Sequence, residues 1–229
     1  MSQPAEVAYG SRTRPMIRCR ASIRSLGASS PPSPVQKKPA LVAVGFGAVW
    51  VTNHASGSVS RIDPVTNEVV ATIVVGPGPA GVAAGEGAVW VAILGDRSLA
   101  RVDPATNRVD RRISVGLAVS WQPEFVAVGE GSVWVTTRQG FVARIDPTSN
   151  RQVATTFTTA GRLGGVSVGH GRVWVVSEAS GSVWRIDPST NAVVGKPLVF
   201  EGWPRAVAAG PDAVWIIDGA SCAVRRLTP

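Results

Sequence analysis

Ten side chains carry most of the chemistry that this sequence offers on one surface. His54 is a base, Asp96, Glu178 and Asp218 are acids, and Arg97, Arg138 and Arg162 are guanidinium groups; Trp121 and Trp203 add two aromatic faces, and Asn53 a neutral amide. Such a set, gathered into a ring, holds a polar ligand through charge-assisted hydrogen bonds over an aromatic platform. The same residue types also make up an ordinary solvated rim of loops, so type alone leaves both readings open. No acid stands next to His54 in the sequence, and Cys19 and Cys222 have neither CxxC nor His-paired spacing. No zinc site or disulfide framework is therefore indicated, and no metal ligands or catalytic residues are assigned from the residues themselves.

What must position these groups is a repeat. "LVAVGFGAVWVTNHASGSVSRIDPVTNEVV" at 41–70 returns as "GVAAGEGAVWVAILGDRSLARVDPATNRVD" and "FVAVGEGSVWVTTRQGFVARIDPTSNRQV", then in a fourth and a shortened fifth copy. Trp50, Trp90, Trp134, Trp174 and Trp215 mark time at intervals of 40, 44, 40 and 41 residues. That period suits four-stranded propeller blades or two-helix units. Each copy consists of short Val-rich runs bounded by Gly-x-Gly, Asp-Pro or Gly-Ser, without the spacing of three and four residues that a helix needs. The expected fold is all-β, a β-propeller of four-stranded antiparallel blades. In the first copy the strands a, b, c and d fall at 41–44, 48–53, 58–62 and 68–75. The b strands read AVWV, AVWV, SVWV, RVWV and AVWI, nearly continuous apolar runs that suit a sheet covered on both faces.

The most regular motif, RIDPxTN, reads as architecture. Proline presets φ for a turn, aspartate accepts bonds from the N–H groups ahead of it, and asparagine tolerates the left-handed conformation that returns the chain to a strand. Arg61, Arg101, Arg144 and Arg185 lie two residues before the aspartates, on the same face of strand c, and an ion pair within or between blades is expected. These turns and the Gly-x-Gly turns gather at one end of the propeller. His170 is there too, in a slot filled elsewhere by Phe46, Glu86 and Glu130, and reads as a turn residue. The b–c and d–a loops gather at the other end. There the copies differ, and there all ten residues named above lie.

Trp50-Val51-Thr52-Asn53 resembles the Tyr-Val-Thr-Asn signature of the YVTN-type (YncE-like) β-propeller repeats, with Trp in place of Tyr, over about residues 40–229. The GxGxVWV repeats bear a more distant resemblance to the streptogramin (virginiamycin B) lyases. That second resemblance implies opening of a cyclic ester by elimination, with magnesium and a histidine base. Here His54 would be the base, and the acids would have to converge from other blades. The first resemblance implies fold rather than activity, since one fold hosts many functions. The reading is a non-catalytic propeller binding an unknown protein or a small polar ligand, without a cofactor. The lyase, with magnesium, is the alternative.

Charge is uneven. Of 23 Lys and Arg, seven lie in residues 1–40 against one acid, Glu6, leaving 16 basic and 14 acidic residues beyond. The repeats are therefore near neutral and lack the basic stripe that nucleic acid requires. No apolar run approaches a membrane span, and residues 1–40 lack the apolar core of a secretory signal, which points to the cytoplasm unless the natural start lies elsewhere. Residues 1–39 form a basic, Ser/Pro-rich segment ahead of a propeller at 40–229. Within it, 17–24 alternate apolar and polar residues, the pattern of a half-buried edge strand. One expectation is a five-bladed ring in which 17–26 supplies the outer strand that the fifth copy lacks, leaving Cys19 and Cys222 at opposite ends of that hairpin and unpaired. The other is that the five repeats are part of a larger propeller.

Overall fold

The structure is a computed structural model that describes residues 34–116, 122–158 and 161–228. The expected edge strand at 17–26 and Trp121 lie outside the described residues. Among those described, the chain forms nineteen strands in five antiparallel sheets. The first sheet holds β1 (Pro39–Gly45), β2 (Ala48–Asn53), β3 (Ser58–Ile62) and β4 (Val69–Val74). The second holds β5 (Pro79–Gly85), β6 (Ala88–Ile93), β7 (Ser98–Asp103) and β8 (Arg108–Ser114), and the third β9 (Pro123–Gly129), β10 (Ser132–Thr137), β11 (Phe141–Asp146) and β12 (Arg151–Phe157). The fourth holds β13 (Leu163–Gly169), β14 (Arg172–Ser177), β15 (Ser182–Ile186) and β16 (Leu198–Val199); the fifth has β17 (Pro204–Ala209), β18 (Val214–Asp218) and β19 (Ala223–Leu227). Strands pair in chain order within every sheet, so each repeat is one up-and-down blade. β16 is short because Gly195 and Pro197 interrupt the run that forms a full strand in earlier copies.

The first strands of successive blades pack in series, β1 on β5, β5 on β9, β9 on β13 and β13 on β17, while the outer strands barely touch. The blades thus radiate from an inner row of strands, as in a propeller. Four apolar clusters fill the four spaces between blades. Trp50, Trp90, Trp134 and Trp174 lie buried in these spaces, and each indole Nε1 donates to the carbonyl of the glycine five residues earlier, at 3.0–3.3 Å. That glycine also touches the next blade. A Cβ on Gly45 would stand 2.7 Å from the Ala84 Cβ, and one on Gly169 2.7 Å from the Ala209 Cβ. Blades approach this closely only where the side chain is a hydrogen.

Burial separates inner blades from end blades. β6 and β10 are buried along their whole length, whereas in β18 buried and exposed residues alternate, with Trp215 and Ile217 facing outward. On the first blade Val42 and Val44 are exposed. No contact comparable to that between neighbouring blades joins β17 to β1 among the described residues. A ring closed by direct packing of the fifth blade on the first is therefore not formed, and the blades make an open arc.

The RIDPxTN turns behave as their chemistry dictates. Asn67, Asn107, Asn150 and Asn191 all sit at φ of 55–59°, and Asp63, Asp103, Asp146 and Asp187 each accept a bond from the N–H two residues ahead at 2.7–2.9 Å. The arginines depart from expectation. Arg61 stacks over Trp50 at 5.2 Å and donates into the next blade, to the Pro104 carbonyl at 2.8 Å and to Asn107 Oδ1 at 2.9 Å. Arg144 repeats this over Trp134, reaching the Pro188 carbonyl at 2.7 Å and Asn191 Oδ1 at 3.1 Å. Their partner is thus the neighbouring turn's backbone and asparagine, not its aspartate, whose carboxylate is already occupied by its own turn. Arg101 differs because Asp110, where other copies have Val70, Val153 and Val194, captures it within its own blade. Asn150 Oδ1 and Arg101 Nε are then buried without a hydrogen-bond partner.

Replacing Asp110 with valine frees Arg101 to reach the Pro147–Asn150 turn of the third blade. Urea denaturation should show a gain of about 1 kcal/mol, the net value of one such hydrogen bond. A loss of stability would mean that the ion pair contributes more than the staple between blades.

Candidate ligand-binding face

Strand pairing fixes which loops share an end. Pro39 lies opposite Asn53, Asn53 opposite Ser58, and Ser58 opposite Val74, so the b–c loop and the connection into the next blade emerge together. Near that end every a–b ladder slips register, between Pro39 and Val42 in the first blade and between Leu163 and Val166 in the fourth. Such bulges re-aim backbone and side chains. Here threonines of the preceding blade hold the bulged carbonyls, Thr52 Oγ1 donating to Ala80 at 2.9 Å and Thr136 Oγ1 to Gly164 at 3.3 Å.

Two of the ten residues turn out to be structural. Asn53 is fully buried at the end of β2, its Nδ2 donating to Ser60 Oγ at 2.9 Å and Ser58 Oγ at 3.2 Å. Asp218 is also fully buried and accepts bonds from the N–H groups of Trp203, Ala220 and Ser221 and from Arg225 Nε and Nη2, all at 3.1–3.4 Å. Burial pushes its carboxyl pKa up, yet these hydrogen bonds outweigh burial and hold it below the ordinary value. Neither side chain is presented to a ligand, because each closes its own loop.

His54, Asp96 and Arg97 stay on the first two blades. His54 is half-buried, with Nδ1 3.2 Å from the Pro79 carbonyl, so Nδ1 carries the proton in the neutral ring. Asp96 caps the turn through Ser98 Oγ at 2.6 Å and pairs with Arg112 at 3.0 Å. Arg97 is exposed and supplies the left-handed residue of that turn, at φ 59°.

The remaining described residues come together on blades three to five. Glu124, at the start of β9 and nearly buried, receives Arg138 Nη2 at 3.3 Å, Arg162 Nε at 2.9 Å and Arg162 Nη2. Arg162 also reaches Glu178 at 3.7 Å. One guanidinium from each of two loops therefore converges on a single carboxylate at the inner edge of the arc. Beyond it Glu178, Trp203 and Arg205 line a half-open cleft of about 210 Å³. Gly164 lets two of these residues approach, since a Cβ there would stand 2.8 Å from the Arg205 carbonyl and 3.4 Å from Glu178 Cγ.

Glu124 and Arg205 were not among the ten. Their signal is the second residue of strand a, which reads Ala40, Ala80, Glu124, Gly164 and Arg205. Charge at a position that is small in three copies out of five marks where the inner edge of the arc departs from pure scaffolding.

Magnesium, implied by the lyase resemblance, wants several oxygen ligands and few competing cations. Among the described residues no three of His, Cys, Asp and Glu gather. Glu124 is committed to two arginines and Asp218 to five donor groups. These residues do not fit the ion. The cysteines also differ from expectation: Cys222, in the left-handed turn before β19, is disulfide-bonded, and the other sulfur lies outside the described residues.

The arc is similar to several solved structures. Kuenenia stuttgartiensis hydrazine synthase matches with a TM-score of 0.68 and 17% identity, over 89% of this chain and 68% of that one. Virginiamycin B lyase from Staphylococcus aureus matches at 0.68 and 17%, over 82% and 69%. The WD40 β-propeller domain of Doa1 matches at 0.67 and 11%, over 81% and 61%. The chain is a β-propeller. At these identities the likeness shows fold alone, and the chain spans about two thirds of each neighbour's length. No family model matches, and no curated protein matches.

Asp103, Asp146 and Asp187 sit in turns that hold their carboxyl pKa values below 3.8; for Asp146 the main cause is the Thr148 N–H, followed by the Ser149 hydroxyl. A depressed folded-state pKa adds stability above the unfolded value of about 3.9, and that stability is lost as pH falls through the folded value. Thermal unfolding should therefore be insensitive to pH near neutrality and weaken below about pH 4. In Asp146→Asn, which keeps an Asx turn, the acid limb should be shallower; an unchanged acid limb would remove the turns as its source.

Proposed function

We propose that this protein is a non-catalytic binding propeller of the YVTN type that holds a polar ligand or a partner protein on the loop face of blades three to five. The observation that carries this is the convergence of Glu124, Arg138, Arg162 and Glu178 beside a cleft walled by Trp203 and Arg205. Carboxylate and guanidinium groups locked to one another make a rigid, preorganised polar surface, which favours recognition because little ordering entropy remains to be lost. The half-exposed indole of Trp203 offers a flat apolar face beside the Arg205 fork, suited to a group that is anionic at one edge and planar at the other.

The lyase is the second reading. In its favour are the likeness to virginiamycin B lyase and the His54 tautomer, which leaves Nε2 unprotonated as a base. Against it stands the distribution of acids, none of which is paired with His54 among the described contacts.

Two assays separate the readings. Incubated with a cyclic depsipeptide ester and magnesium, the protein should leave the ring intact by mass spectrometry; opening that disappears in His54→Ala would establish the lyase instead. In a thermal-shift panel of aromatic carboxylates, a binder should raise the melting temperature with concentration, and Trp203→Ala and Arg205→Ala should abolish the rise. A shift that survives both substitutions would move the site elsewhere.

A further inference from the structure

Three positions recur on the loop face wherever one blade meets the next: the residue that follows strand b, the residue that precedes the next strand a, and the second residue of that strand. At the first joint they are His54, Gly78 and Ala80. That joint closes on itself, since His54 Nδ1 lies 3.2 Å from the Pro79 carbonyl and a Cβ on Gly78 would stand 3.2 Å from the His54 ring. At the third they are Arg138, Arg162 and Gly164, and both guanidinium groups turn to Glu124. At the fourth they are Glu178, Trp203 and Arg205. An acid, an indole and a base meet there, and the cleft opens between them.

Glu178 differs from Glu124 in how its charge is met. Glu124 has a side chain 7% exposed and receives N–H groups from two arginines. The Glu178 side chain is also mostly buried, at 29% exposed, but the one ion pair it makes among the described residues is with Arg162 Nη1 at 3.7 Å, beyond hydrogen-bond reach. Arg162 cannot come closer while its Nε and Nη2 are spent on Glu124. A carboxylate in this condition calls for a cation rich in donors, such as an ammonium group with three.

The opposite wall is fixed by the loop that Asp218 closes. The Trp203 N–H donates to Asp218 Oδ1 at 3.1 Å and its carbonyl accepts the Gly219 N–H at 2.8 Å. The Arg205 stem runs along Gly219, where a Cβ would stand 3.3 Å from both Cδ and Nε. The buried aspartate thus sets the aromatic and basic walls without entering the cleft.

We infer that the cleft takes a free, neutral α-amino acid with an aromatic or large apolar side chain, its ammonium group on Glu178, its carboxylate on Arg205 and its side chain against the Trp203 indole. The inference rests on the reading of blades three to five as a binding face and names the ligand class for it. A ligand with a carboxylate alone brings it beside Glu178, and one with an ammonium group alone brings it beside Arg205. Each wall therefore repels what the other attracts unless both charges arrive together. The two charges must also be close, because Glu178 Cγ and the Arg205 backbone approach across Gly164 with no room for a methyl group between them. A cleft of about 210 Å³ lies below the range of drug-sized pockets, from about 300 Å³ upward, and suits so small a molecule. Either terminus of a peptide offers only one of the two charges. A planar or apolar side chain gains from the half-exposed indole, whereas a charged one meets no partner on it.

Isothermal titration calorimetry on the full chain separates the two charges with three probes: L-phenylalanine, 3-phenylpropanoate, which lacks the ammonium group, and 2-phenylethylamine, which lacks the carboxylate. Phenylalanine should bind at least about tenfold more tightly than either of the others. In Glu178→Gln, which keeps the shape of the side chain, phenylalanine and 3-phenylpropanoate should come within about twofold of each other. Glu86→Gln, in a turn at the opposite end of the propeller, should keep the tenfold gap.

Equal affinity for phenylalanine and 3-phenylpropanoate in the unaltered chain overturns the inference and leaves a face that binds carboxylates. A tenfold gap that survives Glu178→Gln also overturns it, since the ammonium group is then held elsewhere. Phenylalanine that does not bind overturns it outright, and the panel of aromatic carboxylates then decides separately whether the face binds a ligand at all.

Discussion

The close approach of one blade to the next is the constraint on which the rest of this molecule depends. Each space between blades is filled by a tryptophan from strand b. Its indole is fixed at one end by a glycine carbonyl and, in the first three spaces, covered by an arginine at 5.2–5.8 Å. The glycine does double duty. Its carbonyl holds the ring, and its missing side chain lets the next inner strand come within contact distance. Remove the close approach and the tryptophan packs against nothing; remove the tryptophan and the glycine leaves a void. Because every blade needs a neighbour for this, stability is passed along the row in the manner of repeat proteins, and a blade with one neighbour has half the support.

The same constraint divides the two ends of the propeller. The turns at the RIDPxTN end take part in the staple, since Arg61 and Arg144 bind the proline carbonyl and asparagine of the following turn. Their sequence is therefore tied to packing in two blades at once. The loops at the other end are held by bulged carbonyls and buried threonines, which ask little of the loop tips. Charge accumulates there on blades three to five, where Glu124 joins Arg138 and Arg162 and where a cleft opens beside Trp203. A rigid frame with one exacting end and one permissive end is a general means of presenting variable groups.

Architecture was largely legible in the sequence, because what it requires is local. The 40-residue period, the Val-rich runs and the left-handed asparagines each follow from a few adjacent residues, and the strands of the first copy lie within two residues of expectation. The site was only partly legible. Placing Asn53 and Asp218 at a strand end told which end of the propeller they occupy, but not that their side chains fold back onto Ser60 and onto the Trp203–Ser221 loop. Direction of a side chain at a strand end depends on a bulge one strand away, which no spacing rule reveals. Glu124 was missed because it lies inside a strand and its partners come from two loops, 14 and 38 residues distant. The arginine partners were misjudged for a related reason: the aspartates nearest to them are already bound by their own turns.

Native-state amide hydrogen exchange, read strand by strand, tests most directly whether support passes from blade to blade. The account predicts the strongest protection in β6, β10 and β14, which have neighbours on both sides, and weaker protection in β2 and above all β18, whose outer faces are open. Protection in β18 equal to that in β10 would contradict it, because the fifth blade would then be stable without a partner for Trp215.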